Sequence, residues 1–455
     1  MSIRSNGSDH YAWTVELPIG PPFHLRARVL TPLDDGGTRY ESDAVVDIDG
    51  TGRIATVEPY ERWLERAGSP PASPVIDLRP WLVMPGLVDL HVHLPQVPAA
   101  GLGAGLDLLT WLDRYIFPLE RAFDEVTAKR VMPRILRAMA RAGTTTMLAY
   151  GAIWPDSLDA AFRAAEAHGI RAVIGKVMMD ELTYDERIPR ERILDVSLRQ
   201  SAELCERWHG TDDGRLRYAF TPRFALSCSA EMLRESASLA RHYGAYWQTH
   251  LSEDRGEIAE VASRFPDALD YLDVYDRAGA LGERSILAHA VHLSERELER
   301  IVQSGSRIAH CPASNLFLAS GVMPLARYLE AGAVVGLGSD VAGGPDLSIV
   351  TQMRVGAYLQ NALRTVGDDP RAILDPLGWL RLGTLEGARA LGLGESIGSL
   401  EAGKEADLIA VDPARTSPLP GIDSDDPAEV ASRLIFRGHP EMVQAAWVRG
   451  RLLGR

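Results

Sequence analysis

A (β/α)8 barrel, joined to a small β-sandwich domain built from both chain ends, is the fold class this sequence predicts. Three observations lead to it. Eight short apolar runs alternate with longer amphipathic stretches through the middle of the chain, the pattern of repeated βα units. Both ends lack that alternation and carry only strand-like pieces between turns. At 455 residues the chain also exceeds one compact domain, so a large unit with a smaller one is expected.

The elements follow in order. From about Phe23 to Val57 the chain reads as short strands. Asp43–Asp49 and Arg53–Val57, split by Gly50-Thr-Gly52, form a hairpin pattern. Strand-like pieces return at Ala406–Asp412 and Met442–Val448. Neither end can build a core alone, so residues 1–80 and 396–455 are expected to combine, with the barrel spanning 81–395. Its candidate strands are Leu87–Leu90, Thr144–Tyr150, Ala172–Val177, Leu216–Phe220, Ala245–Thr249, Ser285–Ala288, Arg307–Ala309 and Ala333–Gly338. Stretches such as Ser229–His242 and Ser294–Gly305 have the apolar spacing of helices between them.

Composition narrows the function. Hydrophobic residues make up 46% and charged residues 24%, the balance of a globular enzyme. A net charge of -14, with no local Lys/Arg cluster to reverse it, disfavours nucleic acid and anionic membranes as partners. Cys205, Cys228 and Cys311 are odd in number and far apart, which fits a reducing cytoplasm better than a disulfide framework. Met1–His10 is polar and has no signal-peptide core, and no run is long enough to span a bilayer.

In a (β/α)8 barrel, chemistry sits where strands end. The first strand ends in His91-Val-His93, and alternation puts both imidazoles on one side. The fifth ends at His250, with Glu253 three residues on; the sixth ends at His289; the eighth ends at Asp340. Singly, each has a bland reading: surface histidines, a satisfied core imidazole, a helix cap. Together they place metal-compatible and acid–base groups on one rim. His91, His93, His250 and Asp340 are a good zinc set that leaves a position for water. A second metal needs another anionic bridge. The fourth strand ends in Thr221-Pro-Arg223-Phe224, and Arg223 cannot bridge cations; Lys176 reads as a buried-stem lysine. One Zn2+ per chain is therefore expected.

These residues resemble the amidohydrolase superfamily, in its mononuclear deaminase branch, and within it the guanine deaminases. The resemblance runs from about Met84 to Asp412. It is carried by Met84–His93, Thr110–Pro118, Gly175–Asp180, Thr221–Phe224, Thr249–Glu253, Ala309–Asn315, Gly336–Gly344 and Glu401–Leu408. It implies a cytoplasmic homodimer that hydrolyses guanine to xanthine and ammonia. It also implies catalytic roles for Glu253, His289 and Asp340. Glu253 protonates the ring nitrogen beside the attacked carbon, Asp340 takes a proton from water, and His289 orients that water. Gln96, Arg223 and Phe224 are the expected substrate-binding residues, with Trp111 and Phe117 as packing. The same metal set also suits another heterocycle, such as a pterin, 8-oxoguanine or an aminotriazine, or loss of chloride from a triazine. A noncatalytic barrel scaffold is the alternative of a different class.

Overall fold

The computed structural model describes residues 15–68, 74–367, 371, 374–416 and 424–454. The polar stretch Met1–His10 lies outside them. Eight parallel strands make the central barrel: Leu87–His93, Thr144–Tyr150, Arg171–Gly175, Leu216–Pro222, Tyr246–Leu251, Ser285–His289, Arg307–His310 and Val334–Leu337. All eight expected strands are present. Several run one to three residues further, because the pairing continues into the functional rim. A short piece, Val177–Met178, prolongs the third strand beside the fourth. First and last strands meet at the rim, where Asp340 N–H donates to the His91 carbonyl (2.7 Å) and His93 N–H to the Val341 carbonyl (3.2 Å).

The helices form where their ends are specified. Ser229 caps Ala230–Tyr243 by accepting from Met232 N–H, and Gly244, at φ 61°, ends it. Ser294 and Glu297 form a reciprocal capping box on Glu295–Ser304. Two cores result. Inside the barrel, Val88, Leu90, Leu148, Val173, Ala219, Tyr246, Ile286, Ala288 and Ala309 pack in a buried cluster with Leu391, Leu393 and Ile397. Tyr246 OH donates to the Leu391 carbonyl (2.6 Å). A second, larger core lies between the strands and the surrounding helices, through residues such as Leu136, Met139, Phe162 and Leu298.

The terminal strands form one seven-stranded sheet. Its order is Arg451–Leu452, Val443–Val448, Leu408–Val411, Val75–Pro85, Phe23–Pro32, Thr38–Ile48, Ile54–Pro59. It folds over on itself. Ile54 N–H donates to the Lys404 carbonyl (2.8 Å) and Ala406 N–H to the Gly52 carbonyl (2.9 Å), so the last strand meets the lead-in to a distant one. Leu25, Val46, Ile54, Leu408 and Trp447 share the enclosed core. The strands from both chain ends thus belong to a single continuous sheet.

An ion-pair network ties this sheet to the barrel. Arg171, on the third barrel strand, donates through Nε to Asp407 (2.9 Å) and through Nη2 to Glu405, which also pairs with Arg449 (2.7 Å). Arg171 and Asp407 are both buried. Arg171→Ala should therefore cost about 3–5 kcal/mol, the penalty for leaving a buried charge unpaired. The check is a lower urea midpoint with metal content unchanged.

Candidate active site

The strand ends aim the expected residues at one small cavity. Its lining includes His93, Gln96, Arg223, Phe224, His250, Glu253, His289 and Asp340, with Leu108, Trp111, Leu112 and Leu318 as apolar wall. The backbone is bent to achieve this. His289, Ala290, Asp340 and Ser252 adopt positive φ of 69°, 50°, 47° and 47°. Such left-handed geometry costs non-glycine residues roughly 1–3 kcal/mol each and gathers at functional sites.

One donor atom from each of His91, His250, His289 and Asp340 lies within 4.8 Å of the others. His93 belongs to the same cluster: its Nε2 is 3.1 Å from His250 Nε2 and 3.5 Å from Asp340 Oδ1. His91 Nε2 stands 3.1 Å from Asp340 Oδ1, yet it and His289 Nε2 are buried without an acceptable hydrogen bond. Buried imidazole nitrogens left unpaired in this way suit a cation between them. The remaining ring atoms are set by partners around them. His250 Nδ1–H donates to the Arg223 carbonyl (2.7 Å), which leaves its Nε2 lone pair facing the cluster. His289 Nδ1 meets Asn315 Oδ1 at 2.9 Å.

Electrostatics divide the imidazoles. Burial lowers the pKa of His91, His93 and His250, which keeps them neutral, the form a metal requires. Burial acts on His289 in the same sense, but Glu253 and Asp340 outweigh it and raise its pKa. Its Nε2 lies 3.4 Å from Glu253 Oε2 and 3.8 Å from Asp340 Oδ2. Burial would also raise Asp340, but the imidazoles of His91, His289 and His93 prevail and hold it ionised. Ser314 Oγ donates to Asp340 Oδ2 (2.6 Å), so Oδ1 is left for the imidazoles. Three neutral imidazoles and one carboxylate fit a divalent metal of zinc type.

Glu253 is sealed in, and burial, aided by Asp340 and Glu257 and opposed by His289, raises its pKa to about 7. Ser320 Oγ donates to its Oε1 (3.1 Å). Its backbone N–H donates to Glu257 Oε2 (3.0 Å), while Tyr271 OH donates to Glu257 Oε1 (2.7 Å).

The chain matches the amidohydrolase family over residues 82–453. It belongs to that family. A probable guanine deaminase from Deinococcus radiodurans is 38% identical over 90% of this chain and 92% of its own length. Guanine deaminase from Escherichia coli K12 is 38% identical over 83% and 84%. In three dimensions the chain superposes on a guanine deaminase from C. acetobutylicum crystallised with guanine in its active site. The TM-score is 0.87, with 27% identity over 95% of this chain and 100% of the other.

Gln96 and Arg223 are not independent. Both bind Glu120: Gln96 Nε2 donates to Oε1 (2.7 Å) and Arg223 Nη1 to Oε2 (2.6 Å). Tyr184 OH donates to the same Oε2 (2.9 Å). Phe224 lies buried, its ring 6.5 Å from that of His250. Trp111 lines the cavity as well as packing, with Nε1 donating to the Leu102 carbonyl (2.9 Å). Phe117 lies beneath Arg223, 5.4 Å from its guanidinium carbon.

Sequence reasoning missed Glu120, Tyr184 and Glu257. Glu120 sits two residues past the Thr110–Pro118 block, and a buried carboxylate on an apolar helix face was the available signal. Glu257 was hidden by a second role, since it completes a capping box with Asp254. Lys176 is kept away from the cluster. Its Nζ donates to Ser197 Oγ (2.8 Å), and burial lowers its pKa to about 7.

Proposed function

We propose that this protein hydrolyses guanine to xanthine and ammonia, using one zinc ion held by His91, His93, His250 and Asp340. The observation that carries the reading is the sharing of one small cavity by two sets of groups, the acid–base residues Glu253, His289 and Asp340 and the donors of Arg223 and Gln96. The guanine-bound relative supports the same substrate.

Attack at C2 needs a stronger nucleophile than water and a better leaving group than amide ion. Bound zinc supplies Lewis acidity that makes water nucleophilic near neutral pH. Asp340 accepts a proton from the attacking water, and His289, pinned by Asn315, orients it. Glu253, with its pKa near 7, donates to the ring nitrogen beside C2. As the C2–N bond breaks, the departing amine takes the proton held by Asp340 and leaves as ammonia, and the remaining hydroxyl proton returns to Glu253 as the C2 carbonyl forms. Arg223 donates to the C6 carbonyl, Gln96 donates beside it, and Phe224 covers a ring face.

The direct test is incubation of purified protein with guanine, followed by xanthine and ammonia. Faster turnover of a pterin, 8-oxoguanine or an aminotriazine would replace the substrate, and no turnover on the panel would return the scaffold reading. Metal analysis should find one zinc equivalent; two equivalents at full activity would contradict the ligand set. Chelation should abolish activity and lower Tm, because a metal that binds only the folded state stabilises it.

The same proposal takes 1–80 and 396–455 as one β domain and 81–395 as the barrel, a division supported by the two separate sheets. It also takes the chain as a cytoplasmic homodimer. The three buried free cysteines fit a reducing compartment, and a sedimentation mass of two chains checks the dimer. No helix among the described residues is long and apolar enough to cross a membrane.

A further inference from the structure

We infer that Glu120 is a positioning residue that fixes Arg223 and Gln96 as one rigid reader of the substrate's carbonyl edge. Its carboxylate is fully buried and joins three segments distant in sequence. Oε1 accepts from Gln96 on the loop after the first barrel strand. Oε2 accepts from Arg223 at the end of the fourth and from Tyr184 in the segment after the third. Gln96 and Arg223 line the cavity, and Glu120 stands behind them. It therefore acts on substrate through its partners.

The arrangement does two things. Glutamine and arginine side chains carry many rotamers, and each is held here by its own carboxylate oxygen. Gln96 is fixed from its other end too, its Oε1 accepting from Ala342 N–H (3.3 Å). The remaining N–H groups of both side chains then keep fixed directions. Secondly, Glu120 cancels the guanidinium charge where a neutral base must enter. Arg223 has no other ion-pair partner among the described residues.

This inference rests on the guanine reading, and the test separates the two. Metal-loaded wild type, Glu120→Gln and Tyr184→Phe are titrated calorimetrically with hypoxanthine, which carries the C6 carbonyl, and with purine, which lacks it. Hypoxanthine affinity should fall about tenfold or more in Glu120→Gln and several-fold in Tyr184→Phe, with purine affinity within about twofold of wild type. A merely structural defect weakens both ligands alike, and that result overturns the inference. Wild type that turns over guanine, with a Glu120→Gln variant that binds hypoxanthine normally, overturns the inference and leaves the function standing. Wild type that fails on guanine overturns the function. A crystal structure of Glu120→Gln then decides the positioning: Arg223 and Gln96 displaced supports it, and both unmoved overturns it. Tyr184→Phe serves the same comparison should Glu120→Gln not fold.

Discussion

Glu253→Gln should retain its metal and lose turnover of guanine by ~10²–10⁴, the range of a missing acid–base group. The amide keeps the size of the side chain and can still accept from Ser320, so packing is preserved. What disappears is the titratable proton. Burial raises the Glu253 pKa to about 7, so the acid form is present at neutral pH and is lost as pH rises. Since the acid form is the donor, wild-type kcat/KM should fall as pH climbs through about 7. The residual rate of the variant should lack that limb. Steady-state kinetics across pH, with metal analysis of the same samples, checks both. A near-normal kcat in the variant would assign the proton to another group, with His289 the neighbour to examine next, 3.4 Å away.

The barrel and its ligands were legible for one reason: each depends on local pattern. Strand alternation, a Ser or Asp cap and a terminal glycine are written within a few residues. His91, His93, His250, His289 and Asp340 sit at strand ends, so finding the strands finds the rim. The terminal sheet was legible as strands but not as one sheet, because its continuity depends on Met84 pairing with Ile409 across the chain. The second layer of the site was illegible for the same reason. Glu120 acquires its meaning only when Gln96, Tyr184 and Arg223 converge on it from three loops. Glu257 caps a helix with one oxygen, and nothing local announces that its other oxygen faces Tyr271. His289 also needed the fold to be set apart from the other imidazoles, since its raised pKa comes from Glu253 and Asp340 rather than from its own strand.

Arg223→Ala should lower kcat/KM for guanine by about a hundredfold or more, chiefly through KM, and leave zinc in place. Two losses add. The C6 carbonyl loses a charged donor, a bond worth about 1.5–3 kcal/mol, and about 1.4 kcal/mol is tenfold. Glu120 also loses its counter-ion while fully buried, which costs about 3–5 kcal/mol in stability or in rearrangement of the wall. The second loss confuses the first, and the double variant Arg223→Ala with Glu120→Gln separates them. It removes the stranded anion and should recover much of the stability, while guanine binding stays poor. Recovery of wild-type kcat/KM in the double variant would mean that Arg223 merely neutralises Glu120 and reads nothing. Wild type offers an independent check through adenine. An arginine has donors only, so it pairs with the C6 carbonyl of guanine and faces the C6 amino group of adenine unpaired. A site built on such a donor rejects the mismatched base strongly. Adenine should therefore be neither a substrate nor a tight inhibitor, and efficient deamination of adenine would remove Arg223 from its assigned role.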